Sequence, residues 1–459
     1  MLLLYGMFSE DLKPNRQNKL VQDFLALKLS ALPLYKAGCM CGVSHSMQTL
    51  SIEFGKGILD KLPDFMLQFV PTLARILVIS DSYSEEAGGR AAIKKLAKSG
   101  YRIATHIYKD APEGNLMEAN QISIPEDCML VVGIGGASIA EIVKFVATKE
   151  NKPCVIILNS VAASRVLAPA SCLVDDNGLE QTIQVTPPVG LFCDADNLRY
   201  VCDKFIASSF GELMAKYISL FDYKAASVIN KEPFCDTAYN IGIAILDDLI
   251  STFADSKEKI CIEKLALSSI KFGALSQWLD NNRLFCGSDT ACGHVAKILF
   301  KYEQRKSRRR GEFEFMFARV VQCIYKSFLE GEIRGFIPPP DNNMRLDRIE
   351  EFLGLKESVA IEKIRPILTP LSTTLAKYRL DEYKADLLAA CNQNTNRLVA
   401  AFKIFKRLYD DDGYNLINVL DESSSGLCVS LAPDLKSGFT FLSYLKDMGH
   451  LDEFIEDLI

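Results

Sequence analysis

Three glycines and a serine, Gly133-Ile134-Gly135-Gly136-Ala137-Ser138, stand directly after the apolar run Met129-Leu130-Val131-Val132. Residues of these types in this order make a buried strand, a sharp turn and a helix start. The first turn of a helix leaves N–H groups unpaired and carries the positive end of the helix dipole, so such a turn can receive a phosphate. Glycine also removes the side chains that would hold a pyrophosphate away. Ser138 and Glu141 have the spacing of a capping box. The pattern lacks the third glycine of G-x-G-x-x-G, and alone it reads also as a tight strand-to-helix turn without a ligand. Two other strand ends carry polar groups. The run Ile76 to Asp81 ends on an acid that can hold ribose hydroxyls or cap a helix. Cys154 to Leu158 leads into Asn159-Ser160-Val161-Ala162-Ala163-Ser164-Arg165, where Ser160 and Ser164 leave room for a nicotinamide or a phosphate.

These residues need a scaffold that aligns strand ends, and the chain supplies one. From about Gln48 strands alternate with helices: Leu50, Ile52 and Phe54, then Ile76 to Asp81, a helix from about Glu86 to Ser99, a strand near Ile103 to Ile107, the glycine strand, Cys154 to Leu158 and Leu191 to Asp194. Such alternation predicts a parallel sheet with helices on both faces. From about Asp196 the apolar residues recur at helical spacing, as in Phe210, Leu213, Met214, Tyr217, Ile218 and Phe221. The expected fold class is therefore an α/β nucleotide-binding domain followed by an all-α domain. The expected divisions are an extension over 1–43, the α/β domain over 44–195 and the helical domain over 196–459, broken at Pro338 to Asn343 and at Tyr409 to Tyr414.

With 459 residues, 49% hydrophobic and 24% charged, the chain can bury a full core. A net charge of -6 argues against a nucleic-acid partner, and the basic run Arg305 to Arg310 has no interleaved aromatics for base stacking. The fourteen cysteines are scattered, with Cys39-Met40-Cys41 the only close pair. That distribution reads as reduced thiols of a cytoplasmic protein, neither a disulfide frame nor a zinc ribbon. The opening Met1 to Phe8 lacks a basic flank and does not read as a signal peptide, and no run approaches the roughly 20 apolar residues of a membrane span.

The order of motifs resembles the dehydroquinate synthase-like, iron-containing alcohol dehydrogenase superfamily, and within it the glycerol-1-phosphate dehydrogenases. The resemblance rests on Gly133 to Ser138, Ala162-Ala163-Ser164, Cys193-Asp194-Ala195-Asp196 and Phe210-Gly211-Glu212-Leu213-Met214-Ala215-Lys216, and it covers about 48–330. It implies two domains with the active site between them. It also implies NAD or NADP as cofactor, bound through Asp81, Gly133, Gly135, Gly136, Ala137, Ser138, Ser160 and Ser164. The implied chemistry is hydride transfer between that cofactor and dihydroxyacetone phosphate, helped by zinc or another divalent metal acting as a Lewis acid.

The metal ligands implied by the resemblance are partly replaced. Glu212 stands at the first ligand position. In Gly287-Ser288-Asp289-Thr290-Ala291-Cys292-Gly293-His294, Thr290 holds the second, and only the later His294 remains. Arg310-Gly311-Glu312 matches the third, and arginine does not deprotonate to bind a metal. The usual three-ligand site is not expected; His294 with Glu212, Asp289 or Cys292 would make an unusual one. Glu212 and Lys216 also read as an i,i+4 pair, and His294 as a hydrogen-bonded core histidine. The candidate catalytic residues are Glu212, Lys216, His294 and Arg310, with His294 as acid. Arg165 and Arg310 near the cleft suit a small phosphorylated substrate. Two functions follow: an oxidoreductase with an altered metal site, or a non-catalytic binding or regulatory protein on the same fold. A homo-oligomer is compatible with either.

Overall fold

The computed structural model describes residues 13–35, 39, 41–110, 112–198, 201–254, 262–306, 308–332, 336–337, 341–354, 356, 359–365, 368, 373–410, 421–436 and 438–456. The expectations on Met1 to Phe8, on Pro338 to Pro340 and on Asp411 to Tyr414 lie outside them.

Six short apolar runs become one parallel sheet. Its strands are β1 (Ser51–Gly55), β2 (Arg75–Asp81), β3 (Arg102–Tyr108), β4 (Cys128–Gly135), β5 (Cys154–Leu158) and β8 (Gly190–Asp194), in the order β1-β8-β5-β4-β2-β3. β5 and β8 are buried at every position, as strands covered on both faces must be. From β2 the chain passes to β3 on one side and then crosses to β4 on the other. The order therefore reverses between β2 and β4, where open α/β sheets leave a crevice beyond their carboxyl ends. Asp81 and Gly135 are the last residues of the two strands that flank it.

An antiparallel hairpin, β6 (Ala170–Val174) with β7 (Glu180–Gln184), interrupts the alternation and is an element that the sequence reading does not contain. β7, Glu-Gln-Thr-Ile-Gln, is polar and largely half-buried, so it lacks the apolar run by which the sheet strands announce themselves.

The helical half supplies the other wall of the crevice. Its main helices follow α1 (Lys13–Ala26), α2 (Arg90–Lys98) and α3 (Ala137–Lys149); they are α4 (Asp203–Ile229), α5 (Asp236–Ala254), α6 (Ile262–Leu279), α7 (Ser288–Tyr302), α8 (Arg310–Glu330) and α9 (Thr373–Asp410). α4 packs against α7, α8 and α9. The α4–α8 crossing is close: a Cβ added at Gly311 would overlap the Ser208 carbonyl oxygen. That approach sets Glu212 and Arg310 at one level. α1 is drawn into the same body, with Phe24 fully buried against Trp278 of α6. Among the described residues no helix is long and apolar enough to cross a membrane.

Candidate active site

The carboxyl ends of β2, β4 and β5 and the first turns of α4, α7 and α8 enclose a cavity of about 420 Å³. Asp81, Gly136, Ala137, Ser138, Ser160 and Ser164 line it from the sheet side, and Glu212, Thr290, His294 and Arg310 from the helical side. Gly133, Gly135 and Lys216 do not reach it.

The glycines divide the work. A Cβ at Gly133 would lie 2.9 Å from Ile156 and Val143, so this glycine lets α3 press on the sheet. At Gly135 it would meet Ile139 at 2.6 Å, which makes the turn possible. Gly136 alone faces the cavity, with the Ser160 Cβ 3.3 Å from where its own would be. The expected capping box is not formed. The helix begins two residues earlier than that reading requires, with Gly136 as its N-cap, and no side chain caps it. Glu141 thereby falls too deep to reach back; it accepts from the Cys172 N–H at 3.0 Å instead. The N–H groups of this first turn are left without a side-chain acceptor beside the cavity.

Asp81 caps a short turn, accepting from the Ser84 N–H at 2.7 Å and the Ser84 hydroxyl at 2.8 Å, and its carboxylate still borders the cavity. Ser160 accepts from the Ala162 N–H at 3.2 Å, shaping the loop after β5. Two turns along this loop, the Ser164 hydroxyl donates to Glu212 of α4, joining sheet side and helical side at the cavity floor.

At the helical end, cations and carboxylates interlock. The fully buried Lys216 donates to Asp289 at 2.9 Å, to Thr290 at 3.2 Å and to Glu314 at 2.8 Å. Arg310 donates to the other oxygen of Glu314 at 2.6 Å and, across to β7, to Glu180 at 2.8 Å. Burial by itself would lower the Lys216 ammonium, yet Asp289 and Glu314 hold it above its ordinary value. Burial works against the Glu314 carboxylate too, but Lys216 and Arg310 more than reverse this and bring it to about 2. The Glu212–Lys216 pairing on one helix face is not what forms: Lys216 is claimed by α7 and α8, and Glu212 by Ser164.

His294 is buried, and its Nε2 accepts from the Glu180 N–H at 3.1 Å. Burial lowers its pKa to about 4, with Lys436 and Arg310 adding to the effect against the pull of Glu180. Arg165 is also buried; it donates to the Cys172 sulfur at 2.9 Å and the Phe285 carbonyl at 3.2 Å, while its buried Nε has no hydrogen-bond partner among the described residues. Glu180 and Glu314 belong to this centre and are missed by sequence reasoning. Glu314 carried a signal, four residues from Arg310 on a helix; Glu180 carried none, lying 130 residues away on the unforeseen hairpin.

A reversed sheet order, an uncapped glycine turn and an opposing helical wall define a two-domain nucleotide-binding architecture. Residues 53–200 match the family model "Iron-containing alcohol dehydrogenase". The chain is similar to glycerol-1-phosphate dehydrogenase [NAD(P)+] of Bacillus licheniformis, 25% identical over 304 residues, 63% of this chain and 74% of that protein. The enzyme of the same name from Halalkalibacterium halodurans is 21% identical over 44% of this chain, a match that spans about half (52%) of that relative. An iron-containing alcohol dehydrogenase structure from Thermococcus thioreducens shares the fold, with a TM-score of 0.57, 15% identity and coverage of 90% of this chain and 99% of that one.

Proposed function

We propose that this protein is an NAD(P)-dependent oxidoreductase that transfers hydride to or from a small phosphorylated carbonyl or alcohol, dihydroxyacetone phosphate and glycerol-1-phosphate being the pair its relatives suggest, and that it does so without a divalent metal in the cleft. The observation that carries this reading is the shared cavity. The uncapped first turn of α3 opens into the same space as the Ser164–Glu212 pair, Arg165 and Arg310. The turn suits the pyrophosphate, and Asp81 at the neighbouring strand end suits a ribose, which favours NAD. Arg165, which lines the same cavity, suits the substrate phosphate.

The residues present do not fit the metal that the fold family implies. Of the three ligand positions Glu212 keeps a donor, and it receives the Ser164 hydroxyl. Thr290 is bonded to Lys216, and Arg310 is itself a cation. The Nε2 lone pair of His294 is taken by a backbone N–H. The other carboxylates beside this position, Glu180 and Glu314, are already bonded to Arg310 and Lys216, and Arg310 puts a cation where a ligand would stand. In this reading Arg310 and Arg165, the guanidinium groups that line the cavity, donate to a developing alkoxide in the place a metal otherwise takes. Glu212 and Ser164 form a proton path at the cavity floor, the hydroxyl passing a proton while Glu212 accepts it or returns it. His294 holds the β7 backbone and is not the acid; its lone pair is committed and it is neutral at pH 7.

The non-catalytic alternative draws on one observation: Lys216 and Arg310 are already paired with Asp289, Glu314 and Glu180, an arrangement that needs no substrate. NADH titration combined with assays on dihydroxyacetone and its phosphate separates the two. Saturable NADH binding with turnover of the phosphorylated substrate alone supports the oxidoreductase. Equal turnover of both substrates removes the anion site, and binding without turnover leaves the binding protein.

A further inference from the structure

Away from the cleft, four side chains that the sequence scatters over nearly 200 positions converge. Cys39, Cys41 and His45 precede β1, and Cys235 immediately precedes α5. One ligand atom from each lies within 4.8 Å of all the others. The Cys39 sulfur is 3.2 Å from that of Cys41 and 3.4 Å from that of Cys235. The His45 Nε2 is 3.2 Å from the Cys41 sulfur and 3.3 Å from the Cys235 sulfur. None of the four lines the cleft cavity.

From these positions we propose that Cys39, Cys41, His45 and Cys235 hold one structural zinc ion. Sulfur and nitrogen atoms bound to zinc at about 2.3 and 2.0 Å occupy tetrahedral corners roughly 3.5–3.8 Å apart. The observed separations approach these, so small outward shifts make room for an ion. The histidine is already oriented. Its Nδ1 is 2.7 Å from the Trp278 carbonyl, an acceptor, which places the proton on Nδ1 and leaves the Nε2 lone pair facing the sulfurs. The Trp278 ring, nearly parallel to the imidazole at 5.9 Å between centroids, fixes the ring plane. Backbone N–H groups support two of the thiolates: Cys41 N–H reaches the Cys39 sulfur, and Ala238 N–H in the first turn of α5 reaches the Cys235 sulfur, both at 3.4 Å. A helix N-terminus favours the anionic form there.

Three thiolates and an imidazole select zinc over calcium or magnesium, and four protein ligands leave no open position for substrate. The ion is therefore a staple, fastening the segment before β1 to the helical half. Binding would release the thiol protons and leave zinc(II) unchanged in oxidation state; no oxidant is needed. This inference stands whether or not the cleft is catalytic.

The test is metal analysis of the full-length protein, with cobalt(II) substitution as a second readout. One zinc per chain is expected, falling below a tenth in His45→Gln and in Cys235→Ser and unchanged in a Glu212→Gln/His294→Gln double variant. Cobalt in the unaltered protein is expected to show thiolate-to-metal charge transfer and the strong visible bands of a tetrahedral site. Zinc that disappears with the cleft variants, or a protein whose intact mass under non-reducing conditions shows a Cys39–Cys41 or Cys39–Cys235 disulfide, overturns the proposal. Should the single variants fail to fold, an absence of charge transfer in unaltered cobalt-loaded protein overturns it as well.

Discussion

The two ends of the cleft have been treated in opposite ways. At the sheet end, donors are left open: the first turn of α3 has no side-chain cap, and Gly136 keeps its approach clear. At the helical end the charges are taken up internally, Lys216 bonding Asp289 and Glu314 and Arg310 bonding Glu314 and Glu180. The contrast teaches that one cavity can leave backbone donors open at one end while its other end is an internal ion-pair network. A helix terminus costs little to leave open beside water, whereas buried charges do not survive unpaired. Arg310 accordingly has its partners, Glu314 and Glu180, and Thr290 accepts from Lys216.

The largest effect that can break this comparison is on stability. Lys216→Met leaves Asp289 and Glu314 without their buried cation, and a loss of about 3–5 kcal/mol is expected in chemical denaturation. A change within about 0.5 kcal/mol would mean that the network is not what holds α4, α7 and α8 together. Next, Arg310→Gln is expected to reduce kcat/KM for the phosphorylated substrate roughly 100-fold, about 2.7 kcal/mol of transition-state stabilisation, while NADH affinity stays within about twofold. Equal losses in both would erase the division between the ends. At the open end, Gly136→Val is expected to weaken NADH binding about tenfold with little change in melting temperature. Gly133→Ala is expected to do the reverse, destabilising by about 1–3 kcal/mol through overpacking against Ile156 and Val143.

The last effect is a pH dependence, spread over several pH units. The native pKa of His294, about 4, lies below its ordinary value of 6.5, so the unfolded chain binds a proton first as pH falls. Its contribution is complete above pH 6.5 and is lost between there and pH 4. Glu314, lowered from 4.5 to about 2, adds a loss between those values. Stability is thus expected to decline on acidification from pH 6.5, and His294→Gln to flatten the upper part of that decline by up to about 3 kcal/mol. Identical slopes in the two proteins would contradict the buried neutral state of His294.

Much of the architecture was legible because it rests on local pattern. The apolar runs Ile76 to Asp81 and Met129 to Val132 needed only their own residues to read as strands, and helical spacing marked α4 through α8. Gly136 was legible for the same reason. What escaped depended on distant partners or on a two-residue shift. The capping box failed because the helix starts at Ala137, which places Glu141 in its second turn, within reach of β6. The hairpin carrying Glu180 has no apolar run, and its value to Arg310 exists only after folding. The cysteines looked scattered since spacing is read along the chain; Cys39-x-Cys41-x-x-x-His45 was the local trace of a cluster completed by Cys235.

The central claim is that the cleft works with its own cations in place of a metal. Measuring turnover of dihydroxyacetone phosphate and NADH against added zinc or iron(II), with metal content determined in parallel, tests it most directly. The account predicts a rate independent of added metal, at a content of no more than the one ion assigned to the cysteine cluster. A rate that rises in proportion to a further metal equivalent bound per chain would contradict it.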